Sequence, residues 1–128
     1  MPHTGTCLCS ACKVTVKSEH KTQIACSCED CCKTSGTAFS SNILPLQTDV
    51  ELTGPTKEYT YPGGSGKPVT RIFCSVCGSA LAHKAATFGD KMAVQTGTIK
   101  EFKQVMYEAE LFEQGHWAGV PPFTFAPV

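Results

Sequence analysis

The residues of this sequence best suited to chemistry are its nine cysteines, most of which fall into three short groups. The groups read Cys7-Leu8-Cys9, Cys26-Ser27-Cys28-Glu29-Asp30-Cys31 and Cys74-Ser75-Val76-Cys77-Gly78. Thiolates bind metals and act as nucleophiles, so such groups indicate a metal site, redox chemistry or a disulfide scaffold. The odd number of cysteines excludes complete pairing within one chain, which argues against the scaffold.

The third group is typical of a zinc knuckle. Cys74 and Cys77 are separated by two residues and can bind one ion, and Gly78 permits the tight turn that follows. Structural zinc takes four ligands in a tetrahedron, so a second pair must come from elsewhere. Cys7 and Cys9 are the natural donors, because alternation along a first strand would place both on the same side. A four-thiolate site would then connect the start of the chain to its middle.

The same alternation places Cys12 on the opposite, apolar side of that strand, together with Val14 and Val16. A free cysteine is often a small buried hydrophobic residue. We therefore expect Cys12 in the core rather than in a metal site.

Cys26, Cys28 and Cys31 remain, in a C-x-C-x-x-C pattern. Three thiolates from one loop can hold zinc and leave its fourth position free for water or a substrate thiol, as in catalytic zinc sites. A thiol bound there would be a thiolate at neutral pH. Two alternatives stay open: a closed site completed by Cys32 or a distant histidine, and a redox cysteine pair.

The composition and charge of the chain exclude some classes of function. The 128 residues carry eleven basic and eleven acidic side chains and have no net charge, so the basic excess typical of nucleic-acid binding is missing. No run of 18 apolar residues and no secretory signal pattern occurs, so we expect no membrane span and a cytoplasmic, reducing location. The length predicts a single domain over residues 1–128.

Short segments of β-type composition separated by Gly and Pro turns predict an all-β fold. The expected strands cover 13–17, 39–44, 49–52, 58–61, 70–73, 80–83, 91–95 and 106–112. Short helical turns are expected at 31–36 and 99–103, and a hairpin tip at 62–67. The Pro-rich tail 120–128 is expected to pack in an extended conformation.

Several motifs together resemble a known family. They are G-T-C-L-C near the start, the C-x-C-x-x-C pattern, R-I-F-C-S-V-C-G-S-A-L at 71–81, Q-T-G-T-I at 95–99, and Trp117 with a Pro-Pro-Phe ending. The sequence is similar, nearly end to end, to the glutathione-dependent formaldehyde-activating enzymes and their centromere-protein-V-like relatives.

The resemblance implies a β-tent zinc-binding domain of short antiparallel strands with two zinc ions. A structural zinc would lie on Cys7, Cys9, Cys74 and Cys77, and a labile catalytic zinc on Cys26, Cys28 and Cys31. The implied activity is that of S-(hydroxymethyl)glutathione synthase, a carbon-sulfur lyase by classification that adds glutathione to formaldehyde. The expected partner is glutathione or another small thiol compound.

The alternative is a non-catalytic zinc module that binds a protein. It is suggested by Ser27 and Cys32, which stand where family members often have His and Arg.

Five residues are candidates for substrate binding. Arg71 could bind a carboxylate in a bidentate manner, with an ion pair on a strand as the alternative. A pocket could be lined by four residues that follow the cysteine loop, Thr34, Ser35, Gly36 and Phe39. A plain turn leading into a strand is the alternative there. The four histidines are scattered without metal-binding spacing and are expected to be structural or exposed.

Overall fold

The computed structural model describes residues 3–127, and the all-β prediction is confirmed. One α-helix, α1 (Glu29–Ser35), and ten strands occur in these residues, together with five 3-10 turns. The strands are β1 (His3–Thr6), β2 (Lys13–Val16), β3 (Gln23–Cys26), β4 (Ser40–Ile43), β5 (Val50–Thr53), β6 (Thr56–Pro62), β7 (Pro68–Cys74), β8 (Ala80–Ala85), β9 (Ala93–Gln95) and β10 (Tyr107–Leu111).

The strands form two sheets. The smaller has the order β1-β2-β5 and the larger the order β10-β3-β4-β9-β8-β7-β6. Strand β10 pairs with β3 in parallel, whereas the other described pairs are antiparallel as expected. Apolar residues of both sheets meet in one core, because alternation directs them to the same side. Fully buried members are Val14, Val16, Ile43, Leu81, Val94 and Ile99.

The opposite face of the larger sheet carries a buried row of polar residues. Strand register pairs Arg71 with His83 and Asn42 with Gln95, and Ser40 with the end of β3 at Cys26. Strand alternation places these residues on one face, and all are buried. Members of the row contact one another, since Asn42 donates to Ser40 and His83 lies within hydrogen-bond distance of Arg71 and Gln95.

Helix α1 lies against this region, and its ends are set by local sequence. Cys28 is the N-cap, with its Sγ accepting from the Cys31 N–H at 3.3 Å. Gly36 ends the helix in a left-handed conformation (φ 72°) and donates to the Cys32 carbonyl at 2.9 Å. The helical turn expected at 31–36 is confirmed and begins two residues earlier.

The first strand differs from the prediction. Residues 7–12 form the turn between β1 and β2, in which the Cys7 N–H donates to the Cys12 carbonyl at 3.1 Å. Ser10 in that turn has a left-handed φ of 68°. The alternation argument for Cys7 and Cys9 is therefore wrong, because the chain reverses direction where a strand was expected. Strands β1 and β3 were not anticipated.

Other expectations for connecting segments hold. The 3-10 helix Lys100–Gln104 matches the turn predicted at 99–103, and residues 62–67 form the tip of the β6–β7 hairpin. The tail up to residue 127 has no regular structure after residue 121 and packs on β10, where the Ala126 N–H donates to the Tyr107 carbonyl at 2.8 Å. Residue 128 lies outside the described residues. Within 3–127, no helix has the length and apolarity needed to cross a bilayer.

Candidate metal centre and active site

Four cysteines from two distant parts of the chain form one cluster. The sulfurs of Cys7, Cys9, Cys74 and Cys77 all lie within 4.8 Å of one another. The Cys7–Cys9 and Cys9–Cys74 sulfur distances are 3.6 and 3.7 Å. Tetrahedral zinc with Zn–S bonds of about 2.3 Å requires sulfurs roughly 3.8 Å apart, so the four thiols fit zinc without rearrangement.

Backbone geometry prepares this cluster for negative charge. The N–H groups of Val76 and Cys77 both lie 3.4 Å from the Cys74 sulfur, and the Gly78 N–H donates to the Cys74 carbonyl at 2.9 Å. Gly78 has a left-handed φ of 79°, as the knuckle interpretation requires. A hydrogen bond from the Ser79 hydroxyl lowers the pKa of Cys77 to about 5.

Cys12 lies next to this cluster but takes no ligand position within it. Its side chain is fully buried in the core, as predicted, and its N–H donates to the Cys7 sulfur at 3.2 Å.

The second cluster contains Cys26, Cys28 and Cys31, whose sulfurs also lie within 4.8 Å of one another. No fourth His, Cys, Asp or Glu of residues 3–127 joins them. Cys32 does not complete the set, because its thiol donates to the Ala38 carbonyl at 3.2 Å. Three convergent thiols, from the end of β3, the N-cap of α1 and its first turn, form a donor set that fits zinc and leaves one tetrahedral position for another ligand.

The three thiols differ in their surroundings. Hydrogen bonds from Cys26 and Cys28, followed by Ser40 and Arg71, hold the pKa of Cys31 below its ordinary value. The pKa of Cys26 is raised, chiefly by its contacts with the Cys28 and Cys31 thiols and by burial. Cys31 is the thiol of this cluster that contacts a fixed cation.

That cation is Arg71, which is almost completely buried. Its Nη2 donates to the Cys31 sulfur at 3.7 Å, its Nε donates to the Tyr61 hydroxyl at 3.1 Å, and its Nη1 lies 3.2 Å from His83 Nδ1. In the described part of the chain, no carboxylate forms an ion pair with Arg71. A buried guanidinium needs a compensating anion, and the thiolate of Cys31 supplies it.

His83 and Gln95 extend this contact along the polar row. Burial, followed by the nearby charge of Arg71, lowers the pKa of His83 to about 4, so the imidazole is neutral at neutral pH. Gln95 Oε1 lies 3.1 Å from His83 Nδ1. We expected every histidine to be structural or exposed, so the sequence did not identify His83 as a neighbour of the site. Pairing the strands on either side of the 74–79 turn would have placed it opposite Arg71.

A cavity of about 470 Å³ opens onto the three-thiol cluster. Asp30, Lys67 and Arg71 supply its charged groups, and the β6–β7 hairpin tip forms one wall. Phe112 forms part of another wall and has a left-handed φ of 55°, which is unfavourable for an aromatic residue. The open side of the cluster therefore faces a space large enough for a small substrate.

A hydrogen-bonded chain fastens the C-terminal segment to the cysteine loop. The Ser27 hydroxyl donates to Glu110 Oε2 at 2.5 Å, the same oxygen lies 2.7 Å from His116 Nδ1, and His116 Nε2 lies 2.8 Å from the Val120 carbonyl. Gly115 approaches so closely that a Cβ there would be 2.4 Å from the Ser27 carbonyl oxygen. We call the four linked residues the clasp: Ser27, Glu110, His116 and Val120.

The hydrogen bonds of the clasp shift the pKa values of His116 and Glu110 in opposite directions. Both ring nitrogens of His116 face acceptors, so hydrogen bonds to Val120 and then to Glu110 raise its pKa. Burial opposes ionisation of Glu110, but hydrogen bonds from Ser27 and His116 hold its pKa below the ordinary value. The arrangement becomes an ion pair when His116 is protonated, and it links the C-terminal segment to Ser27, between Cys26 and Cys28.

Comparison with known proteins agrees with this geometry. A family model described as glutathione-dependent formaldehyde-activating enzyme matches residues 2–115. The chain belongs to that family. The resemblance inferred from the cysteine motifs is thereby confirmed.

Among solved structures, the chain is similar to a crystal structure of a Rhodobacter sphaeroides protein. The TM-score is 0.61 at 18% identity, and the match covers 76% of this chain and 87% of that one. At this identity the similarity supports the fold alone. The search of curated proteins found no match.

In this member of the formaldehyde-activating-enzyme family, the five substrate-binding candidates lie apart from one another. Thr34 and Ser35 donate to backbone carbonyls of their own helix α1, at 3.0 Å to Asp30 and 2.7 Å to Cys31. Gly36 caps the helix, and Phe39 packs edge-on against Tyr107 and Phe123, with ring centroids 6.0 and 4.9 Å away. Of the five candidates, Arg71 is the one that lines the cavity at the three-thiol cluster.

Proposed function

We propose that this protein is a zinc-dependent carbon-sulfur lyase of the S-(hydroxymethyl)glutathione synthase type. It adds glutathione to formaldehyde or carries out a related carbon-sulfur step on another small thiol compound. The observation that carries this proposal is the three-thiol cluster of Cys26, Cys28 and Cys31, which faces a cavity and contacts a buried arginine. Membership of the family points to the same chemistry.

The two clusters have different roles in this proposal. The four-thiol cluster holds a structural zinc, and the three-thiol cluster holds a labile one with a position open to substrate. Zinc bound by three thiolates supplies a Lewis acid that favours the thiolate form of an incoming thiol at neutral pH. The nine cysteines are unpaired, which suits the reducing cytoplasm.

Arg71 stabilises the anionic cluster. Three metal-bound thiolates carry one negative charge more than a zinc dication, and the guanidinium offsets it where water is excluded. Its contacts with Tyr61 and His83 fix the plane of the guanidinium, so that Nη2 stays directed at Cys31. Cys31 is thereby held beside a cation that stabilises its thiolate form.

The charges of the cavity complement glutathione. At neutral pH glutathione carries two carboxylates and one ammonium group. Lys67 and Arg71 offer cations to carboxylates, and Asp30 offers an anion to the ammonium group. The β6–β7 hairpin tip and Phe112 border the cavity and would limit access of water to the reacting sulfur.

The reaction is tested by NMR exchange spectroscopy of glutathione and formaldehyde with and without the zinc-loaded protein. We expect faster exchange between free glutathione and its hydroxymethyl adduct than in buffer alone, and no acceleration by Cys28→Ala. An exchange rate equal to the uncatalysed background at all protein concentrations would reject this activity.

Metal analysis separates the enzyme from a non-catalytic zinc module. Protein purified under reducing conditions should hold one zinc that survives mild chelation and a second that is lost. A single ion after zinc supplementation would remove the main support for catalysis and favour the module.

A further inference from the structure

A second concave space, a groove, adjoins the metal-site cavity. It has a volume of about 570 Å³ and lies between α1 and strands β6 to β8. Asp30, Tyr61 and Arg71 line both the groove and the metal-site cavity, so the two spaces adjoin at these residues. A substrate whose sulfur lies at the three-thiol cluster could therefore extend into the groove.

The walls of the groove are mainly apolar. The rings of Tyr59 and Tyr61 are stacked with centroids 5.9 Å apart and an interplanar angle of 22°. Ile72, Ala80 and Ala82 also line the groove, and Ile72 and Ala82 connect it to the hydrophobic core. Tyr59 is 64% exposed, although it is a large aromatic residue on a strand. An apolar concave surface beside a reactive site favours an apolar ligand, because binding releases water from both surfaces.

Formaldehyde cannot use this surface. It has two non-hydrogen atoms and no apolar group, and it is little larger than a water molecule, which occupies about 30 Å³ of liquid. Glutathione is polar at both ends, and its charged groups match the cations and the carboxylate of the neighbouring cavity. The groove thus has the size and chemistry of a third component, an apolar substituent on the carbon that bonds to sulfur.

We propose that the carbonyl substrate of this protein carries an aryl or branched alkyl group, which binds in the groove between α1 and the Tyr59–Tyr61 pair. This inference rests on the proposed carbon-sulfur activity and specifies its substrate class. The thiol sulfur forms a bond to the carbonyl carbon, the C=O π bond becomes a C–O single bond, and the thiol proton passes to that oxygen. The product is a thiohemiacetal, and no oxidant or reductant is consumed.

The charged groups are arranged consistently with this assignment. Asp30 and Lys33 lie on the exposed side of α1 at the rim of the groove, and Arg71 lies where the groove meets the metal-site cavity. The apolar residues occupy the remaining wall. A substrate would place its polar reacting carbon near Arg71 and its apolar group towards Tyr59.

Stable thioethers test the inference without requiring turnover. S-methylglutathione and S-benzylglutathione share the peptide and differ in the size of the apolar group on sulfur. Isothermal titration of zinc-loaded protein should show binding of the benzyl compound at least about tenfold tighter, as expected for partial burial of a phenyl ring.

Two variants test whether the preference for S-benzylglutathione arises in the groove. Tyr59→Ser removes an exposed wall of the groove and should reduce the preference for the benzyl compound to about threefold or less. Phe125→Ser, which removes a comparably exposed aromatic ring outside the groove, should preserve it.

The outcomes separate this inference from the proposed function. Equal affinity for the two thioethers would overturn the inference and leave the reaction with formaldehyde standing. A benzyl preference that Tyr59→Ser does not change would also overturn it, because the phenyl ring would then bind elsewhere. Absence of binding by both compounds would overturn the inference, and titration of glutathione itself, which keeps the ionisable thiol, would then test the proposed function separately.

Discussion

The two cysteine clusters use the same ligand atoms in opposite ways. The four-thiol cluster joins the β1–β2 turn to the knuckle after β7, satisfies a tetrahedral ion completely, and borders the core. The three-thiol cluster lies within residues 26–31, where β3 ends and α1 begins, leaves one position unfilled by protein, and faces a cavity that contains a cation. The comparison teaches that ligand number and surroundings, rather than ligand type, separate a site that stabilises a fold from one suited to chemistry.

The largest effect is expected from Cys77→Ala. Structural zinc contributes about 10 kcal/mol or more to the folding of small zinc domains, comparable to the whole stability of a typical domain. Loss of one of four ligands should therefore leave the protein unfolded, as measured by circular dichroism and size-exclusion chromatography. Cys32→Ala, which removes a cysteine outside both clusters, is the matched control and should fold. A folded Cys77→Ala protein that retains two zinc ions would contradict the structural role.

Removal of Cys28 should separate activity from stability. Cys28→Ala leaves two thiols in the open cluster, so we expect turnover to fall to the uncatalysed background while the four-thiol site and the fold persist. Exchange spectroscopy measures the first effect and thermal unfolding the second. If Cys28→Ala unfolds the protein as completely as Cys77→Ala, the proposed division of roles is wrong.

Arg71 should affect the open cluster selectively. Groups that hydrogen-bond to metal ligands typically change metal affinity about 10- to 100-fold. We expect Arg71→Gln to weaken zinc binding at the three-thiol site by this factor, measured by competition with a chromogenic chelator. The four-thiol site serves as the internal control. Arg71→Lys should restore part of the affinity, since it keeps the charge but not three simultaneous contacts. Unchanged zinc retention in Arg71→Gln would exclude the compensating role.

The smallest effect concerns the clasp and depends on pH. The pKa of Glu110 lies below its ordinary value of 4.5, so its contribution to stability is present above pH 4.5 and is lost as the pH falls through the folded pKa. The pKa of His116 lies above its ordinary value of 6.5, so its contribution is present below pH 6.5 and is lost as the pH rises through the folded pKa. The clasp should therefore stabilise most between about pH 4.5 and 6.5.

Thermal unfolding at several pH values tests this window. The loss of stability caused by His116→Gln should be greatest between pH 4.5 and 6.5 and should decline on either side. Glu113→Gln changes an exposed carboxylate of the same segment and should show no such dependence. A loss from His116→Gln that is constant across pH would show that the imidazole acts by packing alone.

Much of this organisation could be predicted from local sequence. Cysteine spacing identified the three-thiol cluster and the two pairs of the four-thiol cluster, and the period-two pattern identified β2, since each of these depends on residues close together in the chain. The reason given for Cys7 and Cys9 was wrong, because a reversal at Ser10 requires a left-handed residue that composition does not indicate. His83 and the clasp were missed because they depend on strand register and on contacts between residues far apart, such as Ser27 and Glu110.

The two clusters close chain segments of different length, so they can form at different stages of protein synthesis. Cys9 and Cys74, in contact through their sulfurs, are 65 residues apart, whereas Cys26 and Cys31 flank the short β3–α1 connection. Closing the longer loop costs about 2 kcal/mol more chain entropy, and its four thiols are all present only after residue 77 has been made. Topology therefore permits the three thiols to converge early in synthesis, whereas the four-thiol cluster must wait until distant parts of the chain meet.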